Sequence, residues 1–246
     1  MVGSPNMSNM PNINYLEASG WLYSLKIDKP VNAQGEAVPW YSYPAIEFLE
    51  DKLNKNLSVF EYGAGQSTLW YSQKVGQVIS VESDQSYFHT IHNNLPNNVQ
   101  IFLQTDPTKY AEKILDFPDE SFDVIIIDGI NRVQCTQLAY QKLKNTGFIV
   151  FDNSDRVAND IALIFLHNQG LQRIDFYGLT PTQKYKTCTS IFFHDQNFLR
   201  HLSLPSQKKS CLGVSLGQYE ELIANQNKPQ NMVNWTAENS SHVTII

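Results

Sequence analysis

The sequence predicts an α/β fold, a mostly parallel seven-stranded sheet doubly wound by helices and ending in an antiparallel hairpin strand. Three observations predict it. From Leu57 onward, short apolar runs alternate with stretches of helical period, the pattern of parallel strands joined by crossover helices. Val124-Ile125-Ile126-Ile127 is apolar without alternation, as a strand covered by helices on both faces should be. Two last strand-like runs are separated only by Gly178-Leu179-Thr180-Pro181 and its neighbours, a turn-forming stretch that suits a terminal hairpin.

The elements follow in order. Residues 1–39 read as a tail or lead-in, residues 40–203 as the main domain and residues 204–246 as a polar, Asn/Gln-rich extension with a weak helical patch at residues 219–224. Ile46, Leu49 and Leu53 have helical spacing. Strands are expected at residues 57–62, 77–82, 99–103, 122–128 and 147–152, and the hairpin at residues 171–177 and 186–194. Between them, Tyr87, Ile91 and Leu95 share one helical face, as do Cys135, Ala139 and Leu143, so each connection is expected to cover the sheet. Val157, Ile161, Ile164 and Phe165 form a further helical stripe.

Composition narrows the function. At 246 residues, with 42% apolar and 17% charged residues, the chain can bury one sizeable core and is not globally disordered. Its formal net charge of −6, without a Lys/Arg cluster, disfavours a nucleic-acid partner and suits a small molecule. Cys135, Cys188 and Cys211 have neither disulfide-framework nor zinc-ligand spacing, so a reducing cytoplasm is expected. The first residues lack the basic start and apolar run of a secretory signal, and no apolar stretch approaches the roughly 20 residues of a bilayer span. No membrane partner is therefore expected, and the oligomeric state is not legible.

The segment Val59-Phe60-Glu61-Tyr62-Gly63-Ala64-Gly65-Gln66-Ser67-Thr68 ends a strand, turns through two glycines and starts a helix. Glycines there let backbone approach a ligand, and free N–H groups at the helix start can meet an anion. Steric need alone also puts glycine in such turns. Two carboxylates sharpen the reading. Glu61 stands at the end of the first strand, where it can attract a cationic ligand, and Glu82, followed by Ser83, ends the second, where a carboxylate can accept from both ribose hydroxyls.

Glu61-x-Gly63-x-Gly65 followed by Val81-Glu82 resembles motif I and the second-strand acid of class I S-adenosylmethionine-dependent methyltransferases, whose fold is Rossmann-like. The resemblance spans roughly residues 57–194. It implies that Glu61, Gly63, Ala64 and Gly65 hold the methionine part of S-adenosyl-L-methionine, with Ser67 and Thr68 nearby, and that Glu82 holds the ribose. The family's residue flanking the adenine maps near Thr105-Asp106, where the match is loose. Gly63-x-Gly65 with a distant acid is also half of the nicotinamide-dinucleotide fingerprint, which keeps an NAD-dependent oxidoreductase as an alternative. Thr68 at the third glycine position, together with Glu61 and the closing hairpin, favours S-adenosylmethionine. A fold that binds this cofactor, or a partner, without catalysis is the third reading.

The resemblance implies a methyl transfer, with O-methylation of a small-molecule acceptor favoured. Transfer to oxygen is an in-line displacement that needs a base only where the acceptor still holds its proton. Candidates cluster after strands four and five, at residues 128–132 and 152–156, with Asp128 and Asp152 as the candidate catalytic residues and Asp128 also beside the cofactor. Asp128, Asp152 and Asn153 resemble the divalent-metal triad of catechol-type O-methyltransferases and could hold Mg²⁺ or another divalent cation, although that group's lysine base after the fourth-strand acid is absent. Alternatively, Asp152, Asn153 and Ser154 cap the next helix and Asp128 merely ends a strand. Arg132 and Arg156 each follow one of these acids, and either pair with it or clamp an acidic substrate. Trp40, Tyr41 and Tyr43 are expected either as a lid or acceptor wall, or as buried packing against the sheet edge.

Overall fold

A computed structural model describes residues 13–93, 95–200 and 210–226. The lead-in carries two short helices, α1 (Tyr15–Ala18) and α2 (Trp21–Ile27), and α3 (Tyr43–Glu50) leads into the sheet. Then come β1 (Ser58–Tyr62), α4 (Gln66–Lys74), β2 (Gln77–Glu82), α5 (Gln85–His92), β3 (Val99–Leu103), α6 (Pro107–Glu112), β4 (Phe122–Ile127) and α7 (Arg132–Ala139). The chain continues through β5 (Leu143–Asp152), α8 (Asp160–Asn168), β6 (Gln172–Leu179), β7 (Lys186–Phe193) and α9 (Leu216–Gln226). All seven strands expected from sequence form, with ends moved by a few residues at most except at β5, which starts four residues early and pairs with β4 across a register shift.

The seven strands lie in the order β3-β2-β1-β4-β5-β7-β6. β1 through β5 pair in parallel, and β7 runs antiparallel to both β5 and β6. The order reverses between β1 and β4, because the chain runs outward to β3 and then returns to the other side of β1. A crevice must open there, beyond the carboxyl ends of the two strands.

Strand alternation divides the core into two layers. Phe60, Tyr62, Ile125, Ile127 and Phe151 face α6, α7 and α8, while Val59, Val124, Ile126 and Val150 face α3 and α4. Thus the unbroken apolar run at residues 124–127 feeds both layers, as a doubly covered strand requires. α5 is the exception to the expected covering helices. It buries no residue fully, and its Tyr87 and Ile91 turn to the crevice.

Helix α8 also departs from expectation. Its core face is Ala162, Leu163 and Leu166, whereas Val157, Ile161 and Ile164 are 83%, 64% and 58% exposed. The segment Asp160-Ile161-Ala162-Leu163-Ile164-Phe165-Leu166 is apolar nearly all round, so spacing alone could not set which stripe turns inward.

The lead-in is anchored to the domain. Trp21 Nε1 donates to the Gln183 carbonyl (2.9 Å), and the Ser24 hydroxyl closes on Val31 through both its carbonyl (2.8 Å) and its N–H (3.0 Å). Tyr41 and Tyr43 are buried, as packing against the sheet requires, but Trp40 stays 46% exposed at the crevice. The α9 helix includes the patch expected at residues 219–224, and Glu47 of α3 accepts from Leu212 N–H (2.9 Å) just before it. Residues 1–12, 201–209 and 227–246 of the expected tail and extension lie outside the described residues. No helix among the described residues is long and apolar enough to cross a membrane.

Candidate active site

The crevice at the strand reversal holds a cavity of about 1110 Å³. Ligand pockets usually measure about 300–1,000 Å³, so this one has room for two molecules side by side. Its first half is built by the turn after β1. Gly63 has φ of +94°, and a Cβ there would lie 2.9 Å from the Asp128 carbonyl, so backbone from β1 and β4 meets with no space for a side chain. Gly63 N–H donates to Val81 O (2.9 Å) and Asp128 N–H to Tyr62 O (3.1 Å), which ties the loop to both neighbouring strands.

Gly63, Ala64, Gly65 and Ser67 line the cavity, but Glu61 and Thr68 do not. Glu61 lies wholly buried behind the loop. Its carboxylate accepts from Ser67 Oγ (2.5 Å), Thr68 Oγ1 (2.5 Å) and Ser80 Oγ (2.6 Å), and Thr68 Oγ1 in turn accepts from Gly65 N–H (2.9 Å). Expected beside the cofactor, Glu61 here lies behind the loop and fastens the turn. Burial pushes its proton affinity up to about 7, against the three hydroxyls, which favour the ionised form.

Glu82 and Ser83 line the cavity at the tip of β2. Glu82 Oε1 accepts from the N–H groups of Ser83 and Asp84 (both 2.7 Å), so the carboxylate is held in one orientation and its other oxygen is left for a ligand. Thr105 and Asp106 are exposed and do not line the cavity. Asp106 instead caps α6, accepting from Thr108 (3.0 Å) and Lys109 (2.9 Å) N–H groups.

Residues that sequence reasoning passed over complete this half. Tyr87 and Ile91 supply its wall, and Tyr110 reaches it from α6. The Tyr110 hydroxyl is buried without a hydrogen-bond partner among the described residues and fills the space over Gly129, where an added Cβ would lie 1.8 Å from it. Such an orphaned hydroxyl fits a polar ligand edge. Gly129, next to a strand-end acid, was the sole signal of it in the sequence.

Asp128, Asp152 and Asn153 converge at the cavity, as expected, but not as a metal triad. Arg132 occupies the space among them. Its guanidinium donates to Asp128 Oδ1 (3.0 Å), to Gly129 O (2.9 Å) and to the Asp152 carbonyl. Asp152 Oδ1 accepts from Thr189 Oγ1 (2.7 Å), and the Asn153 amide donates to Thr187 Oγ1 (3.3 Å). A divalent cation would have to displace a positive charge already in place, so these residues do not fit one. Among the described residues no group of three or more His, Cys, Asp or Glu side chains could hold a metal ion. Burial raises the proton affinity of Asp128 to about 6 despite the opposing charges of Arg132 and Arg156. Burial also raises that of Asp152, helped by the Asp128 charge beside it.

Of the two arginines, Arg132 therefore pairs with its acid, while Arg156 lines the cavity with no ion pair among the described residues. The second half of the cavity lies beyond β5, β6 and β7. Thr180 and Gln183 from the hairpin turn stand there with Trp40 from the lead-in. Thr180 Oγ1 is buried and has no hydrogen-bond partner among the described residues. In sequence this threonine read only as part of a turn.

A mostly parallel sheet with this strand order, an antiparallel β7 and a glycine turn at the reversal is a Rossmann-like α/β fold, one that solved methyltransferases share. Among solved structures the chain is similar to precorrin-6y C5,15-methyltransferase from Geobacter metallireducens GS-15, at 18% identity over 61% of this chain and 87% of that one, with a TM-score of 0.51. It is also similar to spermidine synthase from Thermotoga maritima, at 18% identity over 79% of this chain and 70% of that one, with a TM-score of 0.51. At these identities the likeness is one of fold. No protein-family model matches the chain, and no curated protein matches it in sequence.

Proposed function

We propose that the protein is an S-adenosylmethionine-dependent methyltransferase acting on an oxygen of a small-molecule acceptor. The observation that carries this reading is one continuous cavity. The turn Gly63-Ala64-Gly65 and the pre-oriented carboxylate of Glu82 stand in its first half, and a buried carboxyl, Asp152, stands towards its second. The residues present fit the cofactor. Glu82 would take the ribose hydroxyls, Gly63, Ala64, Gly65 and Ser67 the amino-acid end, and Tyr110 a polar edge. The bound cofactor supplies an electrophilic methyl group on a sulfonium.

Asp128 is held by Arg132, which leaves Asp152 to accept the acceptor's proton as its oxygen attacks. Thr189 fixes the Asp152 carboxyl, and burial makes it a stronger proton acceptor than an exposed aspartate. Among the described residues, no group of three or more His, Cys, Asp or Glu side chains calls for a metal.

Calorimetry with S-adenosylhomocysteine tests the cofactor half. Wild-type protein is expected to bind, and Glu82→Ala to bind about 10- to 100-fold more weakly, the loss of hydrogen bonds to a charged group. Radiolabelled methyl transfer to a panel of phenols, carboxylic acids, sugars and amines tests the rest. Asp152→Asn is expected to lose turnover while still binding S-adenosylhomocysteine, and excess chelator to leave wild-type turnover intact. Binding of NADH in place of S-adenosylhomocysteine would overturn the reading.

A further inference from the structure

The second half of the cavity has a composition of its own. Arg156 and Lys186 come to the same rim because their neighbours are bonded: Thr187 Oγ1 donates to Asp155 Oδ1 (2.9 Å) and accepts from the Asn153 amide (3.3 Å). Lys29 reaches the cavity from the exit of α2. On a chain of formal net charge −6, Lys74, Lys113, Lys142 and Lys144 all pair with carboxylates. Among the described residues, the side chains of Lys29, Arg156 and Lys186 form no ion pair and donate no hydrogen bond. Lys186 lies only over the Tyr177 ring, 6.0 Å from its centroid.

Two carboxylates share this end, Asp28 and Asp155, and the second already accepts from Thr187. Two further features point to a ligand. Trp40 and Tyr185 line the cavity with 46% and 61% of their surface exposed, offering flat faces to a ring. The buried Thr180 hydroxyl has no hydrogen-bond partner among the described residues, so it can bond a ligand hydroxyl.

Resting on the methyltransferase reading, we propose that the acceptor is a hydroxylated ring compound bearing a carboxylate or phosphate. Its negative group sits between Arg156, Lys186 and Lys29, its ring against Trp40 and Tyr185, and a hydroxyl near Thr180. The three cations supply the charge that an acid's negative group requires.

The test uses matched pairs on full-length protein saturated with S-adenosylhomocysteine: para-hydroxybenzoate against phenol, glucuronate against glucose, and a hexose phosphate against glucose. Calorimetry is expected to show at least one charged member binding about tenfold more tightly than its neutral twin, the product of two exposed charge pairs. The advantage should shrink as salt is added and vanish in Arg156→Ala/Lys186→Ala, two exposed positions at which the fold does not depend on the side chain. Whether the carboxylates or the phosphate carry the advantage identifies the group. The proposal is overturned if neutral twins bind as well, or if no acid binds at millimolar concentration while S-adenosylhomocysteine still does. It is equally overturned if the double variant loses S-adenosylhomocysteine itself, since the cations would then serve the cofactor's carboxylate. Failure of wild-type protein to bind S-adenosylhomocysteine would instead remove the reading beneath it.

Discussion

Glu61 shows how a side chain shapes a site it never touches. Three hydroxyls, from Ser67, Thr68 and Ser80, converge on its buried carboxylate, and Thr68 passes the restraint to the backbone of Gly65. Removing the carboxylate would strand those hydroxyls in the core, at a cost of about 1–3 kcal/mol each. Its titration should be visible in stability. With a folded-state value of about 7 against an ordinary 4.5, the folded chain keeps a proton through this interval that the unfolded chain has released. Stability conferred by that proton is full below the interval and is lost as pH rises through it, levelling above about 7; the span amounts to roughly 3 kcal/mol. Urea midpoints followed across these pH values should fall for the wild type and stay flatter for Glu61→Gln, which keeps the shape but cannot ionise. Parallel pH profiles for the two proteins would show that another group carries the effect. At the same scale, Glu61 and Glu82 were both legible as strand-end acids, but which one faces a ligand was not: both strands lie inside the sheet, yet Glu61 is enclosed by Ser67 and Thr68 of α4 and Ser80 of β2, whereas the Glu82 carboxylate opens onto the cavity.

Among the elements, α8 separates pattern from packing most clearly. Its apolar residues run nearly all round, and of the stripe expected to pack, Val157, Ile161 and Ile164 face solvent while only Phe165 packs against the core. Contact with α7 and the sheet selects Ala162, Leu163 and Leu166 instead. Leu166→Ala should therefore cost about 2–5 kcal/mol, and Ile161→Gln less than about 0.5 kcal/mol, by chemical denaturation. Reversed magnitudes would mean that the helix packs on its other stripe. A similar inversion holds for α5, whose Tyr87 and Ile91 have core-like spacing but wall the cavity. The strands behaved differently. Their bounds were readable because a doubly covered strand needs an apolar run of limited length, a local property.

For the whole molecule, the cavity joins the loops after β1, β2, β4 and β5, the β6–β7 turn and the lead-in. A ligand filling it bridges segments far apart in sequence and should stabilise the fold as a unit. S-adenosylhomocysteine at about 100 times its dissociation constant should add about 2.7 kcal/mol. For a chain of this size that corresponds to a rise in melting temperature of roughly 5–10 °C, measurable by calorimetric scanning. A shift confined to part of the transition, or none, would indicate that the halves of the cavity do not communicate. By itself the sequence determined the strands, their parallel winding, the glycine turn and the acids at the strand tips, because each follows from residues adjacent in the chain. Tertiary structure alone decided that Arg132 takes the place foreseen for a metal, that Trp40 parts company with buried Tyr41 and Tyr43, and that Lys29, Arg156 and Lys186 line one cavity. These depend on distance and burial between residues remote in sequence, and no local spacing encodes either.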